Sequence, residues 1–193
     1  IKAKNISAYM KSKTLAEKSA WKFIKNQKND AKMELVVINP GPVFGPTLSG
    51  DLEGASMNMF KQMIKGKMPM VPKAALNMSD VRDVAKIHVQ ALENKNANGK
   101  RFIVTTEKPY KFQELAQILK DNGYNKVGTI QAPNFLLNFL SNFDREAKSM
   151  RAFVGKTYNA NVQSTMKTFD WNPIDIRKTV LDTAKSVEKA MNQ

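Results

Sequence analysis

Tyr9 and Lys13 lie four positions apart, and on a helix that spacing puts both on one face with Cβ atoms about 5–6 Å apart. A phenol titrates near ~10 and is a poor acid–base group at neutral pH, but a fixed ammonium beside it favours the phenolate. A tyrosine tuned in this way can hand a proton to a carbonyl oxygen or take one from an alcohol. Many helices carry the same spacing by chance, so it names a chemistry without assigning it. Other chemistries fall away. No cysteine occurs, which removes disulfides, thiolate nucleophiles and thiolate metal sites. His88 is the only histidine, and no set of metal ligands clusters around it in the sequence.

The elements that must hold the pair come next. Ser7 is placed to cap a helix over residues 8–26. Tyr9, Lys13, Ala16, Ala20 and Phe23 or Ile24 then share one face, which is predicted to pack inward, with small Ala16 and Ala20 allowing close approach to a sheet. Trp21 falls off that stripe. Residues 33–38, Met-Glu-Leu-Val-Val-Ile, form a nearly continuous apolar run with β-branched members. That pattern suits a strand buried on both faces of a parallel sheet, and Pro40 stops it. A helix followed by such a strand is half of a βαβ unit, consistent with a doubly wound fold, where ligands bind outside the carboxyl ends of the strands. Residues 39–46, Asn-Pro-Gly-Pro-Val-Phe-Gly-Pro, begin there and make a rigid turn that another backbone or a ligand can approach closely.

Two stretches together carry a family resemblance. Tyr9-x-x-Ser12-Lys13-Thr14-Leu15-Ala16-Glu17-Lys18-x-Ala20-Trp21 resembles the catalytic helix of the extended short-chain dehydrogenases/reductases, and among them the dihydroflavonol-reductase-like group of the NAD-dependent epimerase/dehydratase superfamily. Asn39-Pro40-Gly41-Pro42-Val43-Phe44-Gly45-Pro46 is similar to that family's strand-end N-P-x-x-V-x-G-P, in order and at the family's spacing. The resemblance implies an α/β fold: the C-terminal part of a doubly wound Rossmann-type parallel sheet plus a small mixed α/β substrate domain. It implies that residues 1–50 belong to the dinucleotide-binding domain, with 76–106 partly returning to it, and that 51–193 are mainly substrate-binding. By the same resemblance Tyr9 is the general acid, and Lys13 favours its phenolate and holds the nicotinamide ribose. Pro40, Gly41, Pro42 and Val43 line the nicotinamide end of an NADP or NAD cofactor, and Ser56 contacts a cofactor phosphate. The family often has a larger residue at position 41, and Phe169-Asp170 stands where leucine-glycine is usual.

The remaining chain reads as a series of short elements. A methionine-rich helix over 55–65 (Met57, Met59, Met63) suggests adaptable core. Asp80 or Ser79 caps a helix on which Val84, Ile87, His88, Ala91 and Leu92 form an apolar stripe, which places His88 inward as a core histidine, and Asp83 anchors a loop. A strand over 101–106, a helix over 111–122 and a strand over 127–131 follow. The apolar segment 133–140 could line a substrate pocket but is expected to dock the smaller domain, 145–155 to be helical, and 175–191 to be the closing helix.

At 193 residues with 42% apolar and 25% charged residues, the chain has the size and composition of one globular domain or a domain and a half. A formal net charge of +14 is large, yet the lysines are spread along the chain without a block of like charge, so solvated helix surface explains it better than a nucleic-acid groove. No run of 18 or more apolar residues and no secretory leader are seen, so a cytoplasmic protein is expected. It is expected to act on a small-molecule carbonyl substrate as a monomer or homodimer, with no metal, nucleic acid or membrane. The family's glycine-rich pyrophosphate turn and its upstream catalytic serine have no counterpart here, which predicts a fragment with little activity alone. Two other readings remain open at this stage. One is a nucleotide-sugar epimerase or dehydratase of the same superfamily. The other is a basic non-catalytic module for nucleic acid or protein, for which steep salt-dependent retention on DNA is the mark.

Overall fold

The computed structural model describes residues 7–28, 33–135, 154–155 and 157–193. Helix α1 (Ala8–Lys25) leads to strand β1 (Val37–Pro40) and, after the proline-rich turn, β2 (Val43–Phe44). Helix α2 (Ala55–Ile64) is followed by β3 (Met70–Val71), β4 (Ala75–Leu76) and β5 (Ser79–Asp80), then α3 (Val81–Glu93) and β6 (Arg101–Val104). The chain continues through β7 (Tyr110–Lys111), α4 (Phe112–Lys120), β8 (Ile130–Gln131), α5 (Gln163–Phe169) and α6 (Ile176–Met191). Parts of the expected 133–140 segment and of the 145–155 helix lie outside the described residues.

The architecture is mixed α/β with mainly parallel pairing. β1 runs parallel to β6, from Val37 opposite Arg101 to Pro40 opposite Val104. β2 pairs parallel with β5 and β3 with β8, while β4 and β7 are antiparallel. Crossovers between parallel partners are long, and α2 and α3 lie within the β1-to-β6 connection, as parallel pairing demands. Two apolar cores result. One gathers Phe44, Phe60, Met63, Leu76, Phe112, Leu115, Leu119 and Val180 between α2, α4 and α6. The other packs Ile87, Phe102, Val104, Val162, Phe169 and Trp171 against β1 and β6, with the Phe102 and Phe169 rings edge to face at 4.7 Å. Each fully buried Phe or Leu contributes about 1.5–3 kcal/mol of transfer free energy.

Several expectations need correction. α1 buries no residue fully; its packed face is Glu17, Ala20, Trp21 and Ile24, while Tyr9 is 70% exposed. The inward face is therefore rotated from the predicted one, and half-buried Trp21 belongs to it, beside Glu17, whose carboxylate accepts from Arg101 on β6. β1 starts at Val37 rather than Met33 and is half-buried, not buried on both faces. Gln27 explains the late start: its side chain accepts from Met33 N and donates to Met33 O, taking that backbone out of a ladder. His88 is exposed and Leu92 is 86% exposed. α3 turns Val84, Ile87 and Ala91 to the core, and the His88 ring instead meets the Val84 carbonyl at 2.7 Å. Asp170 adopts a left-handed φ of 44° at the end of α5, the conformation that glycine takes without strain.

The best-satisfied charge cluster joins α3 to α6. Asp80 caps α3 by accepting from Arg82 N at 2.8 Å, and also accepts from Arg82 Nη2 and Thr179 Oγ1, each at 2.7 Å. Arg82 Nη1 reaches on to Asp182 at 2.6 Å. Burial alone would raise the Asp80 pKa, but the Arg82 and Thr179 hydrogen bonds outweigh it and hold the carboxyl below its ordinary value. Asp182 behaves likewise, with burial again opposed by Arg82 and Lys178. Carboxylates depressed in the folded state add stability above their unfolded value of ~4, and that stability is lost as pH falls through the folded value. Asp83 acts in the opposite sense: burial raises it despite the bond from Ile174 N, so its penalty is relieved on acidification. Asp80→Asn is expected to cost about 2–3 kcal/mol at pH 7, since Asp80 is buried and the Arg82 charge loses its main partner. Thermal unfolding against pH checks this: the wild type should lose stability below about pH 4 more steeply than the variant.

Candidate active site

Ser7 sets the start of α1. Its Oγ accepts from Met10 N at 3.1 Å and its carbonyl accepts from Lys11 N, so the first turn closes around Tyr9. Lys22 and Lys25 lie in the last turn, where cations suit the dipole. The resulting spacing brings the pair together. Lys13 Nζ stands 5.6 Å from the centre of the Tyr9 ring, within cation–π range. Both side chains open to solvent rather than into the core, so a ligand can reach them.

The strand-end turn is held more tightly than its sequence suggests. Pro40 closes β1, and Gly41 N then donates to Ser79 Oγ at 2.8 Å. Ser79 N returns a bond to Pro42 O at 3.0 Å, and Ser79 Oγ donates to Val104 O. Val43 begins β2 opposite Ser79. Glycine is required at 41 by contact: an added Cβ would stand 2.3 Å from the Asn77 carbonyl oxygen and 2.6 Å from Thr105 Oγ1. A larger residue does not fit at this position. Pro40 and Pro42 are exposed, while Gly41 and Val43 are half-buried.

Ser56 sits elsewhere. It is the second residue of α2, whose cap is Gly54, so it is not the helix cap, and it is half-buried on a helix that packs against α6. The structure thus brings Tyr9 to Lys13, and residues 40–43 to one another. It sets Ser56 on a third element.

One residue that the sequence reading missed ties α1 to the sheet. Glu17, one turn beyond Lys13, accepts from Arg101 Nε at 2.8 Å and from Arg101 Nη2 at 3.2 Å, and from Trp21 Nε1 at 3.2 Å. Arg101 is the first residue of β6, directly beside β1. The Arg101 hydrogen bond, assisted by Trp21 and by the nearby Asn39 amide, holds the Glu17 carboxyl below its ordinary value despite partial burial. The Asn39 amide nitrogen is itself buried without a well-formed hydrogen bond, so its proximity to Glu17 is an electrostatic contact. The signal was present in the sequence as the single carboxylate on an otherwise neutral or basic helix. Ser79, Asn77 and Thr105, which enclose the turn, offered no such signal, being far from it in sequence.

No protein-family model matches the chain. The NADPH-dependent methylglyoxal reductase GRE2 of Saccharomyces cerevisiae is 32% identical over 122 residues, covering 61% of this chain and 35% of that protein. Cinnamoyl-CoA reductase CAD2 of Medicago truncatula is 36% identical over 119 residues, 62% of this chain and 34% of that protein. The fold agrees: the crystal structure of Gre2 from Candida albicans in complex with NADPH superposes with a TM-score of 0.66 at 26% identity, covering 93% of this chain and 50% of that one. The Rossmann-type fold and the short-chain dehydrogenase/reductase resemblance expected from residues 9–21 and 39–46 therefore stand. The chain spans about a third of the length of these curated relatives and half of the solved one.

Proposed function

We propose that this chain is the C-terminal part of an NADPH-dependent reductase that transfers hydride to a ketone or aldehyde. The observation that carries this is the pairing of Tyr9 and Lys13 on an accessible helix face, in a chain whose relatives include an NADPH-dependent methylglyoxal reductase. In this reading residues 1–50 and part of 76–106 belong to the dinucleotide-binding domain and the rest mainly to the substrate domain. A catalytic serine and a glycine-rich pyrophosphate turn lie in sequence outside this chain. The protein works in the cytoplasm on a small carbonyl compound, as a monomer or homodimer without nucleic acid.

The residues present fit a nicotinamide cofactor. The Tyr9 ring and the Lys13 ammonium are open to an incoming ligand, and Pro40 and Pro42 present a rigid exposed surface at the carboxyl end of a parallel strand, the place where such sheets take ligands. When bound, the cofactor supplies the hydride for the carbonyl carbon. Tyr9 supplies the proton for the carbonyl oxygen, which becomes an alcohol, and Tyr9 regains a proton from the solvent to which it is open. Lys13 holds the ribose and steadies negative charge on the phenol oxygen. Residues 40–43 would line the nicotinamide end of the cofactor, and Ser56 would contact a phosphate oxygen.

The test is NADPH consumption by the full-length protein with a panel of 2-oxoaldehydes and aromatic aldehydes. Substrate-dependent oxidation of NADPH, with alcohol formed in equal amount, is expected. Absence of turnover together with salt-dependent retention on DNA would overturn the reductase reading.

A further inference from the structure

We propose that Glu17 is a positioning residue for the hydride-transfer site: it fixes the helix that carries Tyr9 and Lys13 against the β1–β6 pair, whose other end carries residues 40–43. This deepens the reductase reading and rests on it. Tyr9, Lys13 and Glu17 follow one another at four-residue intervals, so they run along one flank of α1. Glu17 is the only carboxylate on that helix. It takes both arms of the Arg101 guanidinium, at 2.8 and 3.2 Å, and the Trp21 indole N–H at 3.2 Å. The bidentate fork has one favourable geometry and so defines a direction as well as a distance.

What this pair fixes follows from its place in the sheet. Arg101 stands opposite Val37 in the parallel β1–β6 pair, and three residues on β1 ends at Pro40. The Asn39 side chain on β1 is near the same carboxylate but makes no hydrogen bond to it. Glu17 is therefore tied directly to β6, the strand paired with the one that delivers the turn. α1 has little else to set its rotation, since it buries no side chain fully. Among the described residues, other ties include the Gln27 bonds to Met33 just beyond its far end and the half-buried Ala20, Trp21 and Ile24. An ion pair whose arginine is 56% exposed adds little to global stability. Its consequence is geometric: a displacement of about 1 Å at reacting groups can cost on the order of 10²-fold in rate.

The experiment compares Glu17→Ala, Arg101→Ala and the reversed pair Glu17→Arg with Arg101→Glu in the full-length protein. Each single variant is expected to lower kcat about 10–100-fold with KM for NADPH changed less than about threefold. Thermal midpoints should stay near wild type, and the reversed pair should recover at least part of the lost kcat. A Glu17→Ala kcat within about twofold of wild type overturns the proposal while leaving the reductase reading intact. Amide hydrogen exchange supplies an arm independent of turnover. Exchange along α1 should accelerate about tenfold in Glu17→Ala while α3 and α6 keep their protection. Unchanged α1 exchange, or equal loss of protection in all three helices, overturns the proposal even if wild type reduces no carbonyl, a result counted against the reductase reading alone.

Discussion

Replacing Tyr9 by phenylalanine is expected to lower kcat for carbonyl reduction by about 10²–10⁴-fold in the full-length protein, the usual range for loss of a positioned general acid. The substitution removes one oxygen and keeps the ring. The ring is what faces the Lys13 ammonium at 5.6 Å, and Tyr9 is 70% exposed and fills no cavity, so stability should be unchanged within about 0.5 kcal/mol. NADPH should still bind within a few-fold of wild type, because the ribose contact is assigned to Lys13. Stopped-flow hydride transfer with saturating NADPH separates the chemical step from binding. A kcat that survives the change would remove Tyr9 from its role and leave the pair a surface feature of α1.

The second large effect is expected at Gly41. A Cβ there would lie 2.3 Å from the Asn77 oxygen and 2.6 Å from Thr105 Oγ1. Neither neighbour is free to yield. The Asn77 side chain holds the Thr106 and Glu107 carbonyls, and Thr105 Oγ1 donates to Met78 O. Gly41→Val must therefore push the turn off the 77–80 segment and break the Gly41 N to Ser79 Oγ bond of 2.8 Å. A loss of about 2–4 kcal/mol is expected, from overpacking and a stranded hydroxyl in a closed site. Urea unfolding measures it, with a lowered midpoint at an unchanged slope. Gly54→Ala is the control. Nothing lies within 4 Å of a Cβ at that position, so its cost should stay within about 1 kcal/mol, as for an alanine at a helix cap. Equal behaviour of the two variants would show that the turn is not clamped.

How much of this was legible in the sequence depends on the range of the interaction. The Tyr9–Lys13 pair is local, set by helix periodicity and by Ser7, and both were readable before any coordinates. The Asp80 cap is equally local. The rotation of a helix is not. α3 carries apolar side chains around most of its circumference, so Leu92 and His88 joined the predicted stripe although Val84, Ile87 and Ala91 meet the core. Small errors in the assumed face turned a surface histidine into a core one. α1 misled in the same way: its inward side carries Glu17, whose partner Arg101 lies 84 positions away in the chain, a contact that no spacing rule contains. The demand for glycine at 41 comes from Asn77 and Thr105, residues that reach the turn only once the β2–β5 pairing is made.

The most direct measurement is the set of nuclear Overhauser contacts made by the nicotinamide C4 proton when NADPH binds the protein. Contacts to the Tyr9 ring protons and to the Val43 methyls in the same complex are predicted. A nicotinamide that touches neither group, in a protein that nonetheless binds NADPH, would contradict the account.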